Sequence, residues 1–216
     1  MNNKILSNAF NWLCIGLLIC FITSYVTTLN ETIFHLVYLS FNGLSYLIYL
    51  IAELILAVVL VIRIRKMSNT TAKILYIAYT LLTGLSLGGI FLIYTGSSIA
   101  FIFLVTSILF GIFAIIGKKT KIDLSKWSTY LLIALISIVI LEIINLILLN
   151  NTLNMIVCSV GIIIFCIYIA YDIQLALNVD FLSDTENKGI YIAFQLFVDF
   201  VNLFMDLLSL FGKEKN

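Results

Sequence analysis

Seven stretches of this chain are apolar on every helical face and each is about as long as a bilayer is thick. They cover residues 9 to 28, 43 to 62, 74 to 94, 98 to 116, 129 to 149, 155 to 177 and 189 to 211. A helix rises about 1.5 Å per residue, so about 20 residues cross about 30 Å of hydrocarbon. Strands of an outer-membrane barrel would alternate apolar and polar residues, and these runs do not. Hydrophobic residues make up 62% of the 216, charged residues 11%, and there is no proline, so a soluble domain is excluded. Disorder, collagen and a disulfide-rich secreted scaffold fail on the same numbers. The predicted fold is an all-α membrane protein of seven transmembrane helices, a single domain over residues 1–216 because the linkers are short.

Basic residues set the orientation. Lys4, Arg63, Arg65, Lys66, Lys73, Lys118, Lys119, Lys121, Lys126 and Lys188 fall on loops of one side, and only Lys213 and Lys215 on the other. The positive-inside rule then predicts a cytoplasmic N-terminus and a C-terminus across the membrane. That is opposite to a hormone-receptor-type protein, and the seventh span has no lysine for a retinal Schiff base. A net charge of +1 with no large basic cluster predicts no nucleic-acid partner. Met1-Asn2-Asn3-Lys4 leads into the first run without a small-x-small cleavage site, so that span is expected to be uncleaved.

Smaller features carry expectations of their own. Cys14, Cys20, Cys158 and Cys166 lie inside apolar runs without zinc or redox spacing and are expected to be small core hydrophobes. Gly84 and Gly88 form a small-xxx-small pair that predicts close backbone approach. Thr32 to Ser40 is either an interfacial turn or the start of a long, tilted second helix, and His35 within it is expected at the surface. Without proline, a helix broken in the manner of a transporter site is disfavoured.

Five acids fall inside the spans: Glu53, Glu142, Asp172, Asp199 and Asp206. Each costs about 2.5–3.5 kcal/mol if it faces lipid as an ion. Only Arg63, with Arg65 beside it, lies near enough to pair with any of them, so the acids must share protons, face water or hold a cation. Asp172 and Asp199 are predicted about 10 and 15 Å deep from the same side, where Arg63 also descends. Two carboxyls in contact cannot both ionise readily, and they titrate as a unit. Gln195, Asp199, Asn202 and Asp206 follow one another at intervals of 4, 3 and 4, one face of the seventh helix, and that face should point inward. Glu53 near mid-membrane and Glu142 in the outer half would extend this route, which favours cations. Asp206 and Glu142 equally fit protonated carboxyls bonded to neighbouring helices, and Arg63 equally fits a side chain that snorkels to the interface.

Several motifs resemble those of the Bax inhibitor-1 (transmembrane Bax inhibitor motif) family along nearly the whole chain. They are Ala52-Glu53-Leu54, Arg63-Ile64-Arg65-Lys66-Met67-Ser68, Thr83-Gly84-Leu85-Ser86-Leu87, Tyr171-Asp172-Ile173-Gln174 and Val198-Asp199-Phe200-Val201-Asn202-Leu203-Phe204. The chain has Gly88-Gly89 where many relatives carry Gly-Pro, and Thr106-Ser107 where they carry Thr-Ala. The resemblance implies a last helix wrapped by the other six and a pH-sensitive calcium leak gated by paired aspartates. By motif these are Asp172 and Asp199, with Arg63 or Arg65 as a latch. It implies no cofactor and no metal beyond calcium held transiently at Asp172 and Asp199. The partners are then the lipid bilayer and calcium ions, with a monomer sufficient. The compact termini and lack of a retention signal predict a bacterial plasma membrane.

Two other classes of function compete with this one. An intramembrane aspartyl protease would resemble a family with Gly-x-Gly-Asp and a later Pro-Ala-Leu, whereas this chain has Leu196-Phe197-Val198-Asp199 and no proline. Its single histidine, His35, lies outside every span, and no His-Glu-x-x-His motif exists, so no enzymatic activity is predicted. A survival protein that binds partners within the bilayer is the remaining alternative, although short loops leave it little surface for a soluble partner.

Overall fold

In hydrocarbon no water satisfies a peptide group, so an isolated apolar run has to close its hydrogen bonds within itself, as a helix. The computed structural model, which describes residues 2–40, 44–178 and 187–215, bears this out. Its helices are α1 (Asn2–Leu29), α2 (Glu31–Phe34), α3 (Leu44–Arg63), α4 (Asn69–Leu87), α5 (Ile90–Ile93), α6 (Gly96–Lys119), α7 (Ser128–Leu148), α8 (Asn151–Leu177) and α9 (Lys188–Phe211). Among the described residues seven segments are long and apolar enough to cross a membrane, with α4 and α5 together making the third. The last is the most buried of the seven, with 56% of its apolar window covered.

Polar residues between the runs start the helices. Ser68 Oγ accepts the Thr71 N–H at the head of α4, and Asn150 Oδ1 accepts the Leu153 N–H at the head of α8. The α7–α8 corner turns through Leu149, which takes a left-handed φ of 49° where glycine or asparagine is usual. Asn145 Oδ1 supports that turn by accepting the Asn150 N–H at 3.1 Å.

The described residues cluster into two compact units. Unit 1 comprises residues 2–40, 44–95, 187–197 and 214–215. In it α1 and α3 pack on α4. The small-xxx-small pair makes the close approach expected of it. A Cβ on Gly84 would meet the Cys20 carbonyl oxygen of α1 at 2.7 Å, and one on Gly88 would meet Thr27 Cγ2 at 3.0 Å. The α1 face turned to α4 carries Leu13, Gly16 and Cys20 at helical spacing, and Cys14 lies off it. Cys14 is therefore exposed, correcting the expectation that all four thiols are core residues; Cys20, Cys158 and Cys166 are buried. His35 is exposed, and the short helical segment over residues 31–39 ends where Ser40 turns extended, so it is not the start of a long, tilted second helix.

The third span breaks at Gly88-Gly89 without proline. Side-chain hydroxyls of α1 reach the carbonyls there: Ser24 donates to Gly84 O and Thr28 to Gly88 O, both at 2.8 Å, the latter carbonyl also accepting the Phe91 N–H at 3.3 Å. Tyr38 Oη lies 2.8 and 2.9 Å from the Leu85 and Ser86 carbonyls and accepts the Gly89 N–H at 2.7 Å. Burial pushes the Tyr38 phenol up to about 12, so it stays a neutral donor at physiological pH. The end of the chain is fastened to this region, since Lys215 donates through its backbone N–H to Ile93 O and through Nζ to Phe91 O.

Unit 2 comprises residues 96–178 and 198–213. Here α6 and α7 pack on α8. Phe200 of α9 meets Phe103 and Phe110 of α6 at ring-centroid distances of 5.3 and 5.7 Å. The α6–α7 connection is held by α8: Gln174 Oε1 accepts the Leu124 N–H at 2.7 Å, and its Nε2 donates to Ile122 O at 2.8 Å.

Candidate functional site

The two acids with the most specific motifs meet inside unit 2. Asp172 of α8 is 1% exposed and Asp199 of α9 is 4% exposed, and their carboxyls are hydrogen-bonded to each other. A carboxylate only accepts, so a bond between two carboxyls requires one proton to be shared. Apart from that bond, Asp199 Oδ2 is buried with no hydrogen-bond partner among the described residues. Tyr168, one turn before Asp172, lies within electrostatic reach of both acids.

A second polar group lies further along α9. Asp206 is buried beside Cys158 of α8, whose thiol donates to Asn154 Oδ1 at 3.8 Å, with Ser209 next to that sulfur. Asn154 Nδ2 donates to Ser209 Oγ at 2.8 Å, and Asn145 Nδ2 reaches Asn154 Oδ1 at 3.4 Å. Glu142 of α7 is exposed but within electrostatic reach of Asp206. Asn202, between the two aspartates, is half-buried and donates back to Val198 O at 2.9 Å, so it bridges neither. No three His, Cys, Asp or Glu side chains among the described residues converge as a metal site.

Glu53 and Arg63 belong to unit 1. Both Glu53 oxygens are engaged, Oε1 by the Thr83 hydroxyl at 2.7 Å and Oε2 by the Ser86 hydroxyl at 2.8 Å. Arg63 ends α3 and is exposed, whereas the side chain of Arg65 lies outside the described residues. Sequence reasoning named Thr83 and Ser86 only within a family motif and did not pair them with Glu53, although their three-residue spacing on α4 is a readable signal. It also missed Ser209, which continues the polar face of α9 three residues beyond Asp206.

Asp206 has a companion that no sequence pattern announces. A Cβ on Gly161 of α8 would collide with Asp206 Oδ2, so the carboxyl lies flat against bare helix backbone. Gly161→Ala is expected to cost about 1–3 kcal/mol, the range for overpacking. In an Asp206→Ala background that cost should vanish, which thermal unfolding of the four proteins of a double-mutant cycle would read. Equal penalties in both backgrounds would place the carboxyl elsewhere.

A family model described as inhibitor of apoptosis-promoting Bax1 matches residues 2–216. The chain is 33% identical to the inner membrane protein YbhL of Escherichia coli (strain K12) over 216 residues, 97% of this chain and 92% of that one. It is also 33% identical over 221 residues to an uncharacterized protein of Borreliella burgdorferi, covering 100% of this chain and 94% of that protein. A membrane protein of Streptococcus pyogenes serotype M1 is 32% identical over 168 residues, 76% of this chain and 72% of its own length.

Proposed function

The chain belongs to the Bax inhibitor-1 family, and from that premise we propose that it is a pH-sensitive leak for calcium, gated by the proton on Asp172 and Asp199. Its seven apolar helices make it an integral membrane protein, and the relatives named above are bacterial. The observation that carries the reading is the direct hydrogen bond between two buried carboxyls. Such a bond exists only while one proton is shared. Removing that proton leaves two carboxylates that repel each other and attract a cation; adding one neutralises both. Proton count therefore biases two arrangements of the helices that carry the pair.

Calcium takes six to eight oxygen ligands, about 2.3–2.6 Å away, when it is held tightly. Two carboxyls offer fewer, which suits brief occupancy by a permeating ion. Arg63, or Arg65 on the turn that follows, is the proposed latch, and Glu53, Asn202, Asp206 and Glu142 are the proposed further polar stations of the pathway. The basic loops would face the cytoplasm.

Purified protein in vesicles loaded with a calcium dye tests this. The natural protein should pass calcium at a rate that depends on pH, and Asp172→Asn and Asp199→Asn should each flatten that dependence. Unchanged flux and unchanged pH dependence in both variants would remove the gate from this pair.

A further inference from the structure

We infer that the connection between α6 and α7, residues 118–127, is a docking site for the phosphate of an anionic phospholipid headgroup, held in position by Gln174. This goes beyond the leak and does not depend on it. Lys118, Lys119, Lys121 and Lys126 fall within nine residues at the end of a membrane-spanning helix, and all four are exposed. Lys126 is paired with Asp123 at 4.0 Å; the other three form no ion pair among the described residues. Exposed Ile122 and Trp127, 63% and 51% accessible, supply the apolar and aromatic contacts of an interfacial segment.

The bias of positive charge to one side of a membrane asks only that lysines be there. It does not ask that the segment carrying them be rigid. Yet Gln174 spends both ends of its amide on this backbone, and Thr120 Oγ1 accepts the Ile122 N–H at 3.1 Å. A cavity of about 230 Å³ opens between the segment and α8, lined by Lys121, Ser125, Tyr171, Gln174, Asn178 and Asp123. Of these, the Lys121 ammonium and the Asn178 amide are donors suited to phosphate oxygens. Asp123 would oppose an anion, but its carboxylate is already engaged. Oδ1 accepts from the Ser125 N–H at 3.1 Å and the Ser125 hydroxyl at 2.5 Å, and Oδ2 faces Lys126. A fixed cationic rim over a donor-lined cavity, at the level where headgroups lie, fits a lipid phosphate better than a diffusing solute.

Trp127 sits inside the site and reports on it. In a Trp12→Phe background it is the only tryptophan of the chain. The full chain is reconstituted into phosphatidylcholine vesicles in which brominated phosphatidylglycerol, or in a parallel series brominated phosphatidylcholine, replaces the unbrominated lipid stepwise, and quenching of Trp127 in the two series gives the relative affinity of the two lipids. Phosphatidylglycerol should be preferred, and the preference should weaken in high salt. Each lysine is worth about 1 kcal/mol near an anionic surface, so Lys118→Gln/Lys119→Gln/Lys121→Gln should lower the relative affinity roughly 100-fold. Lys213→Gln, at the far end of α9, should leave it unchanged. Gln174→Ala should reduce it several-fold by freeing the segment. Equal quenching by the two lipids, or a preference that survives the triple variant, overturns the site. Full competition by millimolar inorganic phosphate overturns the lipid as its ligand, and an unaffected Gln174→Ala overturns the pin.

Discussion

Gly117→Val is expected to destabilise this protein strongly. A Cβ at that position would collide with the carbonyl oxygen of Ala170 on α8 and lie 2.7 and 2.8 Å from its Cα and carbonyl carbon. These are backbone atoms, so no rotamer change relieves the contact and α6 must move away from α8. Overpacking costs about 1–3 kcal/mol where side chains can yield, and a backbone obstacle puts this case at about 3 kcal/mol or above. Gly111, on the same helix, has nothing within 4 Å of its Cβ position. Gly111→Val should therefore match the parent in thermal unfolding of the solubilised protein. If the two variants melt together, the close approach of α6 and α8 at Gly117 is wrong. The closeness also bears on the gate, because Ala170 is two residues from Asp172.

The aspartate pair should tolerate amides and resist truncation. Asp172→Asn keeps a side-chain donor for Asp199, so the buried bond survives without a shared proton. Asp172→Ala leaves a buried carboxyl without its partner, a loss of about 1–3 kcal/mol. Asp199→Ala should cost the same, because the two acids share one bond, and the double alanine variant should cost less than the sum of the singles. Unfolding curves for the five proteins give these values directly. Equal stability of the alanine and asparagine variants would show that the pair contributes no bond. An amide that stabilises while abolishing pH sensitivity would separate the structural use of the pair from its use as a switch.

The sequence and the structure agree most closely where the physics is one-dimensional. Apolar length located all seven spans, and most helix ends lie within a few residues of the runs that predicted them. The larger differences are at ends the bilayer does not set, such as α1, which begins at Asn2. Asp172 and Asp199 were legible because an ionisable residue inside an apolar run is expensive and so conspicuous. Gly84 and Gly88 were legible because small residues four apart form one groove.

What escaped the sequence is whatever depends on which helix stands opposite. Glu53 read as a station in mid-membrane; its two hydroxyl partners on α4 become visible only once α3 lies beside α4. Gly161 is an ordinary helix glycine until Asp206 is laid against it. Gln174 belonged to a family motif for its neighbour's sake, and its own bonds go to a loop 50 residues away. Cys14 and Cys20 looked alike because both sit in one apolar run, and in hydrocarbon the lipid-facing and protein-facing sides of a helix need not differ in composition.

One feature of α9 bears on how the protein is made. Its first half completes unit 1 and its second half completes unit 2. A chain is synthesised from its N-terminus, and its earlier parts ordinarily begin to fold before the later parts exist. Here Ile192, Phe194 and Phe197, core residues of the first unit, arrive together with Phe200, Leu203 and Leu208 of the second. Six spans must wait in the membrane with their inner faces unsealed until the last helix leaves the ribosome and the insertion machinery. A messenger truncated before α9 thus yields a product in which both cores are open, an evident target for membrane quality-control proteases. Maturation is decided at the end of translation, in one step for both units.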